Sequence, residues 1–350
     1  MVKCYIDNKD SRKYLIDIKT LNKYDTKKMY AIYDRWSEIA KNAYNSNVIP
    51  ADFKNIEHIV FAGMGGSGAL GDIFSSILSK TNVHVTLVKG YILPKTVDSD
   101  TLVITTSVSG NTIETLTVLD SAKKLDCKII AFSDGGKLKN YCASNKIEYR
   151  KISQHLSPRS SFTEFLYSML KILESIIPIE KQDVFESIKE LENLNKKISS
   201  MNLTKNNPSL QLAEWIKGIP MIYYPWGLQA AAIRFKNSLQ ENAKIHAIAE
   251  DVLEASHNGI VSWEKPSIVQ PILLEGEDDF IKTKERWKIL KEYFKENNVD
   301  YREIKSIKGN ILSKLITMIY LLDYTSIYHA VLEKIDPTPI SSIDFIKKRL

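Results

Sequence analysis

The chain has 350 residues, 44% hydrophobic and 26% charged, with a formal net charge of +6 at pH 7. This composition is typical of a two-domain globular protein, and the scattered lysines argue against a nucleic-acid partner. Cys4, Cys127 and Cys142 are odd in number and form no CxxC pair, which argues against a disulfide framework or a zinc site. Because no apolar leader or stretch approaching ~18 apolar residues is evident, we expect a cytoplasmic protein with no membrane partner.

The N-terminal segment carries a helical pattern. Apolar residues recur at helical spacing between Asp25 and Asn45, which predicts a helix with Asp25 as its N-cap. We expect residues 1–50 to form a helical arm packed on the first domain.

Strands and helices then alternate through a predicted first domain, residues 51–155. The predicted strands are 58–62, 83–89, 101–106, 128–132 and 147–152. The predicted helices are 69–78 and the segment from the hydroxyl-rich turn near residue 112 through Lys124. Such alternation predicts a parallel sheet covered on both faces, with ligands at the carboxyl ends of its strands.

A helical connection at 156–205, with a polar stretch at 195–207, leads to a predicted second domain at 206–335. The predicted strands of this domain are 221–225, 245–249, 268–274 and 301–304, and its helices are 228–239, 279–296 and 311–332. A C-terminal segment, 336–350, ends in a short helix at 341–349. The predicted fold class is therefore α/β: two doubly wound αβα domains with parallel sheets, an N-terminal helical arm and a C-terminal helix.

The first candidate site is the glycine-rich turn GMGGSG at residues 63–68. A strand-to-helix turn of this kind exposes backbone N–H groups at a positive helix end, which suits an anion. The GxGxxG pattern also matches the dinucleotide fingerprint, but Lys89 stands where that fingerprint needs an acidic residue. A nicotinamide dehydrogenase is thus a disfavoured alternative.

The second candidate site is a turn with three hydroxyls, Ser107, Ser109 and Thr112, around Gly110. Serine and threonine commonly cap helices, and one hydroxyl is enough for a cap. Three hydroxyls are more than a cap needs, and phosphate offers several acceptor oxygens to such donors. We therefore favour a phosphate site.

Three further residues suit sugar chemistry, although each has a plain alternative. Arg159 could stabilise an oxyanion or lie on the surface, and Glu241 could simply pair with Lys244 in solvent. A lone histidine such as His257 is more often structural than catalytic. Together, one Glu and one His supply what an aldose–ketose isomerisation needs, a proton shuttle and a ring-opening group.

These motifs, in this order, resemble the bifunctional phosphoglucose/phosphomannose isomerases of the sugar isomerase (SIS) superfamily. The resemblance runs from about Ile59 to the C-terminus and departs from the family pattern at Gly259 and Ser262. The motifs that carry it are GMGGSG at 63–68, SVSGNTIET at 107–115, SPRSS at 157–161, ENAK at 241–244, SHNGIVSWE at 256–264, DPTPI at 336–340 and the terminal IKKRL.

The resemblance implies interconversion of glucose 6-phosphate and fructose 6-phosphate, and of mannose 6-phosphate and fructose 6-phosphate, through a cis-enediolate. It implies no metal and no cofactor. The residues that it assigns to the 6-phosphate are Ser67, Ser107, Ser109 and Thr112.

The resemblance also implies the reacting groups. Glu241 would move the proton between C1 and C2, while Arg159 and the backbone of Gly65 and Gly66 would stabilise the enediolate. His257, supplied by the partner subunit of a homodimer, would assist ring opening.

Two C-terminal residues complete the implied site. Lys347, or the adjacent Lys348, would lie at the ring-opening end, and Thr338 would leave room for rotation about C2–C3. A non-catalytic sugar-phosphate regulator of the same superfamily is the alternative, although a sensor has no need of Glu241, His257 and Arg159 together.

Overall fold

The computed structural model describes residues 16–350, so Cys4 and the start of the predicted arm lie outside the described residues. The chain divides into two compact units. The N-terminal unit is Arg35–Ile188, and the C-terminal unit combines residues 16–34 with Lys189–Leu350.

Strands and helices alternate along most of the described chain. The strands are β1 His58–Ala62, β2 His84–Val88, β3 Thr101–Thr106, β4 Lys128–Ser133, β5 Glu148–Lys151, β6 Ile219–Tyr224, β7 Ile248–Asp251, β8 Val269–Glu275 and β9 Arg302–Lys305. The helices are α1 Ile18–Tyr24, α2 Met29–Tyr33, α3 Trp36–Tyr44, α4 Gly65–Leu78, α5 Ile113–Lys123, α6 Gly136–Asn145, α7 Phe162–Ile172, α8 Lys181–Ile198, α9 Pro208–Trp215, α10 Gln229–Ser238, α11 Val252–Ala255, α12 Ile281–Glu296, α13 Ile311–Leu332 and α14 Ser341–Lys347.

Each unit is built on its own parallel sheet. In the N-terminal unit the strand order is β2-β1-β3-β4-β5, and in the C-terminal unit it is β7-β6-β8-β9. Every strand pair is parallel. The central strands β1 and β3 are buried along their whole length, as expected for strands covered on both faces. The predicted α/β class with two parallel sheets is confirmed.

Helix α13 forms the centre of the C-terminal unit. It is long and apolar enough to cross a membrane by composition, but its most apolar stretch is 89% buried inside the protein, which is typical of a core helix. Tyr320 and Tyr324 on its buried face donate hydrogen bonds to the backbone carbonyls of Tyr33 (2.6 Å) and Tyr30 (3.1 Å). These bonds hold α2 against α13.

The predicted single helix between Asp25 and Asn45 is wrong, because the structure has two helices there, α2 and α3, separated at Asp34. Asp25 is not an N-cap: its carboxylate accepts from the Tyr30 N–H at 2.8 Å, and Lys28 precedes α2. The expected arm is also divided. Helices α1 and α2 belong to the C-terminal unit and α3 belongs to the N-terminal unit, because their apolar faces pack into different cores.

The polar stretch at 195–207 is not a plain connection. Helix α8 extends into it as far as Ile198. Asn195 donates to the Asp34 carbonyl at 2.7 Å and to the Tyr320 hydroxyl at 2.6 Å, and Asn207 caps α9 by accepting from the Leu210 N–H at 3.0 Å. The asparagines at the two ends of the stretch, Asn195 and Asn207, are therefore buried hydrogen-bonding groups.

Candidate active site

The glycine-rich turn begins directly after β1 and contributes the first residues of α4. Its glycines permit close backbone approach: a Cβ on Gly68 would lie 2.9 Å from the Gly63 carbonyl oxygen, and one on Gly63 would lie 3.0 Å from that of Thr106. Gly65 has φ +51, a conformation that favours glycine. Helix α4 starts at Gly65, four residues before its predicted start at residue 69. The N–H groups of its first turn lie at the carboxyl end of β1.

Ser67 joins the glycine-rich turn to the turn with three hydroxyls. Its side chain is 7% exposed, and its Oγ accepts a hydrogen bond from the Val108 N–H at 3.2 Å. The N-termini of α4 and α5 therefore lie beside each other at the carboxyl ends of β1 and β3. Two positive helix ends at one place are suited to an anion.

The turn with three hydroxyls does not use Thr112 as a helix cap. Thr112 occupies the N-cap position of α5, but its side chain makes no capping bond. The Ser107 and Thr112 hydroxyls are instead 2.9 Å apart, while Ser109 Oγ accepts from the Asn111 N–H at 3.3 Å. Ser107 is fully buried and Thr112 is partly exposed, so the Thr112 hydroxyl is the member of the pair that can donate directly to a bound ligand.

Arg159 lies in a serine-rich turn of the same unit, before α7. Ser157 and Ser160 exchange hydrogen bonds between backbone N–H and side-chain oxygen at 3.0 and 3.3 Å, and Ser161 Oγ donates to the Ser157 carbonyl at 2.7 Å. Arg159 is only 4% exposed, so the surface alternative for this residue is wrong. An arginine is rarely buried to this extent.

Glu241 lies in a π-helical turn, Leu239–Ala243, that continues α10. Wider turns of this kind often occur at functional sites. Asn242 fixes the turn to α13: its side chain is fully buried and donates to Ser326 Oγ at 2.8 Å. Lys244 ends the turn with φ +59, and its ammonium donates to the Glu241 carbonyl at 2.5 Å.

A buried ion pair fixes α10 against α13 about two turns before Glu241. Arg234 contacts Asp323 with Nε at 3.0 Å and with a terminal nitrogen at 2.6 Å, and Ser238 donates to the same carboxylate at 2.7 Å. Burial raises the pKa of Asp323, while the Arg234 guanidinium acts in the opposite direction. The ion pair holds the segment that leads into Glu241.

His257 follows α11 in an exposed turn of the C-terminal unit. Its N–H donates to the Glu254 carbonyl at 2.9 Å, and Asn258 donates to the Glu254 carboxylate at 2.9 Å. A Cβ on Gly259 would lie 2.9 Å from Glu250 Oε2, the end of a flexible side chain that can shift to make room. Burial, followed by the charges of Glu254 and Asp251, raises the pKa of Glu250.

The C-terminal candidates lie in the last segment. Thr338 is partly buried, and its N–H donates to Asp336 Oδ1 at 2.9 Å. Lys347 and Lys348 are exposed at the end of α14. Among residues 16–350, no cluster of three His, Cys, Asp or Glu side chains could hold a metal ion.

The predicted site residues thus form two groups. Gly65, Gly66, Ser67, Ser107, Ser109, Thr112 and Arg159 belong to the N-terminal unit, and Glu241, His257, Thr338 and Lys347 to the C-terminal unit. Five residues that support the Glu241 turn were not predicted from the sequence: Arg234, Ser238, Asn242, Asp323 and Ser326. Asp323, the one acidic residue of α13, was the available signal, because a carboxylate is rarely buried without a partner.

The sequence matches two known domain families. Residues 52–147 match the SIS domain, and residues 205–350 match the bacterial phospho-glucose isomerase C-terminal SIS domain. In fold, the chain is similar to the C-terminal domain of glucosamine-fructose-6-phosphate aminotransferase from Francisella tularensis. The TM-score is 0.69 at 17% identity, covering 89% of this chain and 98% of that one.

Curated relatives are similar over nearly the full length. The bifunctional phosphoglucose/phosphomannose isomerase of Caldicellulosiruptor bescii is 35% identical over 328 residues, covering 89% of this chain and 94% of that protein. That of Aquifex aeolicus is 30% identical over 322 residues, covering 90% and 94%. Because the similarity extends through both parallel-sheet units, the chain belongs to the bifunctional phosphoglucose/phosphomannose isomerase family.

Proposed function

We propose that this chain is a cofactor-free isomerase that interconverts glucose 6-phosphate and mannose 6-phosphate with fructose 6-phosphate. The observation that carries the proposal is the meeting of the glycine-rich and hydroxyl turns through the Ser67–Val108 hydrogen bond, in a chain of this family. The relatives are named for both activities.

The 6-phosphate would bind to the hydroxyls of Ser67, Ser107, Ser109 and Thr112. Charge-assisted hydrogen bonds to phosphate are stronger than neutral ones, and two helix N-termini add to them. The paired hydroxyls of Ser107 and Thr112 support this role, since they are not used to cap α5.

The reaction is a proton transfer between neighbouring carbons. Glu241 would remove the proton from C2 of the open-chain aldose and return it to C1, while the hydroxyl proton passes from O2 to O1, so that C2 becomes the ketone and C1 the alcohol. No external oxidant or reductant is needed, because one carbon is oxidised as its neighbour is reduced. Arg159 and the backbone N–H groups of Gly65 and Gly66 would stabilise the negative enediolate.

Ring opening and product choice would fall to three other residues. His257, contributed by the partner subunit of a homodimer in the cytoplasm, would transfer a proton at the ring oxygen, with Lys347 beside it. Thr338 would leave room for rotation about C2–C3, so that either face of C2 can be protonated. The exposure of His257 supports its delivery to a second subunit.

The proposal is tested by supplying fructose 6-phosphate and measuring glucose 6-phosphate and mannose 6-phosphate separately. We expect both products from the unaltered protein, and a fall in kcat of at least ~10²-fold for Glu241→Gln, since the proton carrier is lost. Glu292→Gln, at an exposed position on α12, is the matched control and should retain full activity. Tight binding of fructose 6-phosphate without turnover would instead indicate the regulatory alternative.

A further inference from the structure

The peptide bond that precedes Thr338 is held at both of its polar ends. Its N–H donates to Asp336 Oδ1 at 2.9 Å, and its carbonyl, that of Pro337, accepts from Lys244 Nζ at 3.4 Å. Asp336 is itself fixed by the Thr26 hydroxyl at 2.5 Å. Because Pro337 restricts its own φ angle as well, this peptide has little freedom while the Lys244 contact is intact.

The same ammonium holds the Glu241 turn. Lys244 Nζ donates to the Glu241 carbonyl at 2.5 Å and to the Asn242 carbonyl at 3.4 Å. Carbonyls at a helix end lack intrahelical partners, and a lysine placed just beyond the end can satisfy them. An ammonium has three donors, and here three backbone carbonyls lie within hydrogen-bonding distance of it.

We propose that Lys244 is a positioning residue that couples the Glu241 turn to the Thr338 segment. One side chain contacts the peptide of the proton carrier and the peptide beside the residue assigned to C2–C3 rotation. The inference rests on the proposed function of Glu241 and Thr338, and it adds a determinant of product choice. If the Lys244 contact is lost, Glu241 and the Thr338 segment can move independently. Both kcat and the ratio of glucose 6-phosphate to mannose 6-phosphate should then change.

The test compares Lys244→Met and Lys244→Arg with Lys236→Met, a matched control on α10. Lys236 makes no side-chain hydrogen bond to any described residue. Lys244→Met keeps the chain length and removes the donors, so we expect kcat to fall by ~10- to 100-fold through misplacement of the base. Lys244→Arg retains donors and charge and should recover part of the loss, while Lys236→Met should change nothing.

The readout that separates coupling from general damage is the ratio of glucose 6-phosphate to mannose 6-phosphate. Lys244→Met should shift this ratio, and in combination with Thr338→Ala the two shifts should depart from a simple product by at least ~2-fold. A lower kcat with an unchanged ratio, or shifts that simply multiply, would overturn the coupling and leave Lys244 a local helix cap.

Hydrogen exchange keeps the inference testable apart from activity. In Lys244→Met, the amides of residues 239–243 and those of Asp336, Thr338 and Ile340 should exchange faster than in the unaltered protein. If only the first segment changes, the coupling is wrong whatever the activity. If the unaltered protein lacks isomerase activity while both segments respond, the proposed function fails and the mechanical coupling stands.

Discussion

The two units hold their candidate site residues by different means. In the N-terminal unit, the paired hydroxyls of Ser107 and Thr112 are five positions apart in sequence. The hydrogen bond from the Val108 N–H to Ser67 Oγ spans 41 positions. In the C-terminal unit, the hydrogen bonds that support the Glu241 turn join residues much further apart in sequence. The Asn242–Ser326 bond spans 84 positions and the Lys244–Pro337 bond spans 93. An anion site can be built from local turns at strand ends, whereas a fixed carboxylate here depends on distant helices.

Asp323→Ala should give the largest effect, because it leaves the Arg234 charge buried without its carboxylate. We expect a loss of ~3–5 kcal/mol in the free energy of unfolding, measured by denaturant titration. The matched control is Asp52→Ala, which breaks an ion pair to Lys54 whose aspartate is 73% exposed and should cost less than ~1 kcal/mol. Equal losses for the two variants would contradict the support that we assign to the buried pair.

Ser107→Ala combined with Thr112→Val should show the opposite behaviour in the N-terminal unit. Stability should change little, but KM for fructose 6-phosphate should rise ~10- to 100-fold, because hydrogen bonds to a charged group are lost. Thr117→Val, one turn further along α5, removes a hydroxyl that only donates to the Ile113 carbonyl. That control should leave KM unchanged, and a similar rise in KM for it would refute a specific phosphate contact.

The contrast between the units also explains how much could be predicted. Alternating apolar runs placed β1 and β3 at their observed bounds, and the hydroxyl turn was recognisable from sequence because its residues are adjacent. The break at Asp34 and the distribution of the N-terminal helices were missed, because tyrosines on α13, almost 300 residues away, decide where α2 packs. Likewise, Asn242 and Arg234 gain their roles only through partners on α13.

Glu250→Gln should give the smallest effect, at the edge of the C-terminal unit near His257. Since burial raises the pKa of Glu250 in the folded protein, the carboxyl favours folding below its unfolded pKa of about 4.3, and this contribution is lost as pH rises through the folded pKa. The Glu250→Gln variant carries a neutral amide at every pH. It should therefore be more stable than the unaltered protein at pH 7, by less than ~1 kcal/mol because the carboxyl is only partly buried.

The stability gain of Glu250→Gln should disappear near pH 3.5, where Glu250 is protonated in both the folded and the unfolded protein. The measurement is the free energy of unfolding of Glu250→Gln and of the unaltered protein at pH 7 and at pH 3.5. Glu292→Gln, at an exposed position on α12, is the control for the substitution itself. A gain for Glu250→Gln that persists in acid would show that charge is not its cause.

The most direct test of the account follows a deuterium label at C2 of glucose 6-phosphate during conversion in ordinary water. If Glu241 carries the proton, part of the label should reach C1 of fructose 6-phosphate and the rest should be lost to solvent, and Glu241→Gln should abolish both. Complete retention of the label in the product, or unchanged label loss in Glu241→Gln, would contradict Glu241 as the proton carrier.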